Sequence, residues 1–298
     1  MKVTNKANLP AALVDLVQNS QFGYKEKCYS ATTLLHANRD ILLTRRHFDE
    51  IEVDANESVN MILGTAVHSL IEKFDKTGYA EIYLKEEIRD GYYLTGQCDL
   101  YDAVNFELVD WKTASVYKII RKDFGDWKKQ GLIYAWLLVK KGHFVKKLKF
   151  HALLKDWTAR DRRIAKMKGD FYPDAQIYTW EYEVTAQDLR DIETFIRDKF
   201  DSLILDELLS DDQLPDCGPE DTWYTGDKYA VYGKSKVKAM RVLDTEQEAK
   251  DYMEHKGGTH IEFRPGEHRK CQDYCQCCKF CKYYQERKAK EMEEKEND

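Results

Sequence analysis

Asp110 and Lys112 are separated by a single tryptophan in the run FELVDWK, 106–112, an apolar stretch rich in strand-forming residues. Alternate residues of a strand share a face, so the carboxylate and the ammonium project together. Trp111 turns its side chain the other way and leaves its backbone carbonyl towards them. A second carboxylate, Asp99, lies in the neighbouring β-rich run and can converge on the pair. Two carboxylates with further oxygen donors suit a hard cation such as Mg²⁺ or Mn²⁺, with Asp99, Asp110 and the Trp111 carbonyl as the expected ligands. A lysine beside such a site orients or deprotonates water and stabilises charge developing on a phosphate. Together these are the parts of metal-assisted phosphodiester hydrolysis.

The surrounding elements supply the scaffold. Residues 60–76 carry Ile62, Ala66, Leu70 and Phe74 at helical spacing, with His68 and Glu72 four apart on one flank. Three β-rich runs follow, 81–88, 92–104 and 106–112, separated by Arg-Asp-Gly and by Asn105, and read as an antiparallel meander. Residues 126–142 begin with an acidic turn and end in two lysines and a glycine, which are helix start and stop signals. Residues 147–155 are strand-like again. The order helix, three strands, helix, strand predicts an α/β (α+β) fold with a mixed central sheet flanked by helices. Beyond residue 170 the pattern predicts a strand at 176–184, a helix at 185–209 capped by Thr185, a hairpin near 229–243 and a helix at 245–255. Residues 282–298 read as a charged, fraying tail.

The 298 residues are 43% hydrophobic, enough for a real core. Asp15 interrupts the N-terminal apolar run, and the longest one elsewhere, 132–139, is too short to span a bilayer. Neither export nor a membrane partner is expected, and a reducing, cytoplasmic setting is. The formal charge is −6, yet residues 112–168 hold 17 Lys and Arg against 4 Asp and Glu, whereas 185–221 hold 12 acidic and 3 basic residues. A basic excess that begins at Lys112 points to a polyanionic partner.

The motifs GTAVH (64–68), GQCD (96–99), DWKT (110–113) and QGLIYAW (130–136) occur in the order and at about the spacing of RecB-type nuclease motifs. On these residues the chain resembles the PD-(D/E)xK nuclease superfamily, in its RecB, AddB and CRISPR-adaptation-nuclease branch, and most of all its phage-encoded members. The resemblance implies a restriction-endonuclease-like core over 29–170 and an N-terminal extension over 1–28. It implies a C-terminal extension over 171–281 packed on that core. It makes His68 a metal ligand beside Asp99 and Asp110, and Lys112 the water-activating or charge-stabilising residue. Gln130 and Tyr134, four apart on one helical face, would position the DNA backbone and the active site, with Glu72 and Glu87 as weaker additions around the ligands. The implied activity is divalent-metal-dependent DNA exonuclease action in recombination, repair or phage DNA metabolism, with a helicase or single-strand-annealing protein as a compatible partner. The alternative is a DNA-binding scaffold of the same fold without catalysis. Tyr117, Phe124, Trp127 and Trp157, interleaved with the basic residues, are candidates to stack on bases.

Five of the eight cysteines fall within residues 271–281, which is metal-ligand spacing. The resemblance implies a four-iron four-sulfur (4Fe-4S) cluster held by Cys271, Cys275 and Cys281 with a distant fourth ligand. Cys217, ahead of Trp223, is taken over Cys28, and over Cys277 and Cys278, which are close to their neighbours. Thiolates suit Zn²⁺ as well. Cys98 reads as a small core residue.

Overall fold

The structure is a computed structural model describing residues 1–19, 24–74, 79–235 and 237–296. The chain forms two compact units, residues 1–36 with 48–208, and residues 37–47 with 209–298. In chain order the first holds β1 (Lys2–Thr4), α1 (Ala11–Asn19) and β2 (Cys28–Ser30). After α2 (Asn38–Arg46), part of the second unit, it continues with β3 (Glu52–Asp54), α3 (Val59–Phe74), β4 (Tyr79–Arg89), β5 (Tyr92–Asp102) and β6 (Glu107–Ala114). It ends with α4 (Val116–Ile120), α5 (Gly125–Lys140), β7 (Lys147–Leu154), α6 (Ala159–Lys168), β8 (Ile177–Glu183) and α7 (Ala186–Asp206).

The central sheet runs β2-β5-β6-β7-β8, with β4 on the other edge of β5. The strands β4, β5 and β6 form the expected antiparallel meander, β6 and β7 are parallel, and β8 is antiparallel to β7. The sheet is therefore mixed, as the element order predicts. Strand β8 pairs with β7 from Lys147↔Glu183 to Leu153↔Ile177 and extends the same sheet beyond residue 170.

Helix α5 is buried from Gly131 to Leu138 because eight successive apolar or aromatic residues leave it no polar face there. Two motif glycines let it lie close to the sheet. A Cβ on Gly131 would come within 2.8 Å of Leu148 and 2.9 Å of Phe150, and one on Gly96 within 2.8 Å of the Tyr134 ring. Helix α7 packs on α5 through its own apolar stripe, Ile192, Ile196, Phe200 and Leu203, all buried. Thr185 and Asp188 form the capping box that starts it.

The second unit contains α2, a three-stranded sheet, and helices. Strands β9 (Lys228–Tyr232) and β10 (Arg241–Leu243) form the expected hairpin; after α8 (Glu246–Lys256), β11 (His260–Arg264) pairs with the other edge of β9. Helices α9 (Arg269–Asp273) and α10 (Lys282–Glu296) follow. The expected charged tail, 282–298, is helical as α10 through Glu296, with pairs such as Lys282–Glu286 at 3.8 Å. Residues 297–298 lie outside the described residues, as do residues 75–76 of the expected first helix. None of the eight cysteines forms a disulfide. Among the described residues no helix is long and apolar enough to cross a membrane.

Candidate active site

The antiparallel ladder between β5 and β6 covers only Leu100↔Val109, Tyr101↔Leu108 and Asp102↔Glu107. Beyond Val109 the strands part. The next N–H facing β5, that of Trp111, is taken by the side chain of Asp99, whose Oδ2 accepts it at 2.8 Å. This substitution of a carboxylate for a backbone carbonyl fixes Asp99 beside Asp110 and opens the space between the strand ends.

Asp110 is 3% exposed, and its Oδ2 lies 2.8 Å from Nζ of Lys112 without a well-aligned hydrogen bond. Burial pushes the Asp110 carboxyl up to about 6; Lys112 pulls it down, and the negative charge of Asp99 pushes it up again. Lys112 in turn donates to Oε1 of Gln130 at 2.9 Å, and Nε2 of Gln130 donates to the hydroxyl of Tyr134 at 3.1 Å. Gln130 and Tyr134 are one turn apart on α5, so the helix reaches the strand pair through a chain of three side chains. Burial holds the Tyr134 phenol well above its ordinary range, and it stays neutral.

Helix α3 lies along the end of β6 and brings His68 to the same place. Its Nδ1 is 3.5 Å from Oδ1 of Asp99. The hydrogen bond to Asp99 raises its pKa above the usual imidazole range against the opposing effect of burial, and the charges of Asp99 and Asp110 and a bond to the Trp111 backbone act in the same direction. His68, Asp99, Asp110, Lys112 and the backbone of Trp111 thus meet at one point. The Trp111 side chain packs on the opposite face against His151, ring centroids 4.7 Å apart.

The donor set fits a hard cation. It holds two carboxylates, an imidazole nitrogen and a carbonyl, with a buried carboxylate oxygen that accepts no aligned hydrogen bond and two acidic groups whose mutual repulsion a cation relieves. Two lesser candidates stand apart or go undescribed. Glu87 accepts from the backbone of Gly91 at 2.8 Å and braces the β4–β5 turn. The side chain of Glu72 lies outside the described residues.

The basic excess resolves into two populations. On α5 and β7 four lysines are ion-paired, Lys128 with Asp188, Lys140 with Glu193, and Lys147 and Lys149 with Glu107 and Glu181, and Lys129 stands over the Phe195 ring. The acidic stretch beginning at residue 185 therefore answers part of the basic one. Arg121, Lys122, Arg160, Arg163, Lys166 and Lys168, on and beside α4 and α6, are exposed. Of the four aromatics expected to meet bases, Trp127 is buried, Phe124 stacks on Trp180 with centroids 5.0 Å apart, and Trp157 donates to Pro173 at 2.9 Å. Tyr117 alone of the four is exposed, at 65%.

In the second unit the cysteines gather around Asp40 of α2. Sγ of Cys275 lies 3.5 Å from Sγ of Cys277, and ligand atoms of Asp40, Cys275 and Cys277 all fall within 4.8 Å of one another. Burial pushes the Cys217 thiol up to about 12, with Cys281, Asp40, Asp221 and Cys271 acting on it electrostatically. Burial likewise pushes Cys271 up to about 11, with Cys275 and Cys281 among its electrostatic partners. Cys217, Cys275 and Cys281 are thus joined through Cys271 into one group. The structure adds Cys277, 1% exposed, and Asp40, neither of which the sequence reading assigned. The spacing of Cys277 to Cys275 argues against it on paper; the turn that joins them folds both sulfurs inward. Lys270 pairs with Asp40 at 2.7 Å, and Arg39, 3% exposed, approaches Sγ of Cys281 at 3.8 Å, so two cations face this group of thiols. Cys98 is fully buried in β5 and Cys28 lies in β2.

No family model matches this chain, and no curated protein does so either. Among solved structures the chain is similar to that of SSO0001, with 16% identity over 63% of this chain and 81% of that one and a TM-score of 0.43. It is similar to an alkaline exonuclease (LHK-Exo) from Laribacter hongkongensis, with 13% identity over 61% of this chain and 90% of that one and a TM-score of 0.39. A phage related exonuclease from Haemophilus somnus 129PT matches at 12% identity over 65% of this chain and 82% of that one, with a TM-score of 0.29. With TM-scores this low, none of these likenesses bears on what the site does.

Proposed function

We propose that the first unit is a divalent-metal-dependent DNA nuclease of the PD-(D/E)xK kind, acting as an exonuclease at DNA ends. The observation that carries the reading is the convergence of His68, Asp99, Asp110 and Lys112 where β5 and β6 part, with Lys112 steered by Gln130. Asp99, Asp110, His68 and the Trp111 carbonyl would hold Mg²⁺ or Mn²⁺, which supplies Lewis-acid polarisation of the phosphate and an acidified water. Lys112, beside Asp110, presents its ammonium to the phosphate oxygens as they gain charge. Gln130 holds the ammonium in one rotamer, which limits the reorganisation needed during reaction. Tyr134, neutral and packed against Gly96, fixes Gln130. The restriction to DNA ends follows the family resemblance.

We further assign a thiolate metal centre to the second unit, with Cys217, Cys271, Cys275 and Cys281 as ligands of a 4Fe-4S cluster. Arg39 and Lys270 face its net negative charge. Zn²⁺ held by Asp40, Cys275 and Cys277 is the alternative that the 4.8 Å grouping favours.

The test of the nuclease reading is cleavage of end-labelled linear DNA with Mn²⁺ or Mg²⁺ by the wild type, Asp110→Ala and Lys112→Ala. The reading expects cleavage by the wild type alone and no degradation of covalently closed circles. Equal activity in all three proteins ends the assignment, and DNA binding without cleavage by any of them leaves a scaffold.

A further inference from the structure

A cavity of about 490 Å³ opens between α4 and α6, beyond the C-terminal ends of the parallel strands β6 and β7. No metal ligand or catalytic candidate lines it. Its apolar walls come from Val116, Tyr117 and Ile120 on one side and from Ile164, Phe171 and Tyr172 on the other. Both sides are fixed to the strand ends that carry the active site. Asp156, just after β7, accepts from the hydroxyl of Ser115 at 2.6 Å and the N–H of Val116 at 2.7 Å, which clips the exit of β6 to the exit of β7. Lys112 precedes Val116 by four residues, a reach of at most ~14 Å along the chain.

The chemistry of the cavity is uneven. Tyr117 and Phe171 are exposed rings, at 65% and 54%, and Met167 beside them is 75% exposed, so flat apolar surface faces solvent here. Helix α6 contributes no buried residue, and its Ile164 and Ala165 line this cavity. The charged residues of the lining are all solvent-exposed, three carboxylates, Asp156, Asp161 and Asp170, against one cation, Lys168. That balance disfavours a phosphate seated in the cavity itself. Flanking it, the exposed cations Arg121 and Lys122 directly follow α4 and the exposed Arg160 stands in the first turn of α6, whereas Lys128, Lys140, Lys147 and Lys149 on α5 and β7 are ion-paired. A ligand that puts an uncharged ring inside and phosphates at the rim matches both halves.

We propose that this cavity is a subsite for an unpaired nucleobase of the DNA strand whose backbone crosses the active site. The site rests on the nuclease reading for its neighbour but binds without metal or cleavage. An aromatic ring stacks on Tyr117 and Phe171, exocyclic amino groups donate to the aspartates, and the flanking phosphates meet the exposed arginines and lysines. A base in a duplex is stacked on both faces and cannot enter, so the substrate class is single-stranded or frayed DNA.

The test measures binding of a fluorescein-labelled single-stranded oligonucleotide to the full chain in EDTA, by anisotropy. The comparison ligands are the same backbone made abasic and a blunt duplex. The wild type binds the base-bearing strand at least ~5-fold more tightly than the abasic one. Tyr117→Ala and Phe171→Ala lose that preference while binding the abasic strand and the duplex as the wild type does, and their unchanged circular-dichroism melting shows that they fold. Arg121→Ala weakens all ligands together and lowers the salt dependence by about one ion. If both ring variants keep the wild-type preference for bases, or weaken the duplex equally, the subsite is refuted. Asp110→Ala keeps the base preference. A protein that shows the preference but never cleaves retains this subsite and loses the nuclease reading; one that cleaves with no base preference does the reverse.

Discussion

The backbone N–H of Trp111 donates to Oδ2 of Asp99 across a distance of 2.8 Å, in the position where a sheet would place a carbonyl. One bond thereby ends the β5–β6 ladder, orients the first carboxylate and brings it near the second. The site's other properties follow from the crowding this creates.

Asp110 stores the cost of that crowding. Its folded-state pKa, raised by burial to about 6, exceeds its ordinary 3.8, so the folded protein binds the extra proton between those values. Stability in metal-free buffer therefore falls as pH rises from about 4 to about 6. Asp110→Asn removes this penalty. In EDTA its melting temperature rises relative to wild type between pH 4 and pH 7, and its cleavage activity is lost. A difference that stays flat across this range contradicts the burial argument.

Lys112 compensates the buried carboxylate and is itself held by Gln130. Gln130→Ala releases the ammonium from one rotamer without removing its charge. The expected result is a kcat lower by about 10-fold with little change in KM, whereas Lys112→Met loses about 10²-fold or more. Steady-state kinetics with Mn²⁺ distinguishes the two; equal losses would mean that Gln130 does more than position.

Gly96 faces the ring of Tyr134 so closely that a methyl group would sit 2.8 Å from Cε1. Gly96→Ala forces the ring away from β5 and with it the Gln130 bond. Denaturant unfolding should show a loss of about 1–3 kcal/mol, and activity should fall with it. Tyr134→Phe, which keeps the ring and removes the hydroxyl, should leave stability within about 1 kcal/mol.

Asp188 couples the capping of α7 to the lysines of α5. Burial raises its pKa, but bonds from Thr185 and Tyr182 and the pairing with Lys128 outweigh that and bring it down to about 2. A depressed folded value contributes stability above the ordinary 3.8 and loses it as pH falls towards 2. Asp188→Ala should therefore cost up to about 2 kcal/mol at pH 7 and almost nothing near pH 2. Urea titrations at the two pH values check it, and a cost unchanged by acid would point to packing alone.

The cysteines divide by position. Cys275→Ala removes a sulfur that contacts both Cys277 and the Asp40 neighbourhood, and iron and zinc content measured by plasma emission should drop to background. Cys98→Ala, in β5, should leave it unchanged. An anaerobic absorbance band near ~400 nm, lost together with the metal, identifies iron and sulfur, and a colourless metal-bearing protein identifies zinc. Cys277→Ala sorts the ligand sets: retained iron leaves Cys217, Cys271, Cys275 and Cys281 as the four, and lost metal makes Cys277 a ligand.

The sequence by itself determined the elements and the side on which chemistry-bearing residues lie. Period two along 106–112 placed Asp110 with Lys112, period 3.6 placed Gln130 with Tyr134, and caps and glycines bounded α5, α7 and α8 to within a few residues, because these are local properties of the backbone. Only the tertiary structure decided what depends on distant neighbours. The splaying of β5 from β6, the neutralisation of α5 and β7 lysines by acidic partners, the burial of Trp127 and the inward turn of Cys277 towards Asp40 all join residues far apart in the chain. Burial and charge pairing are set by the sum of such contacts, and no periodicity within one segment encodes them.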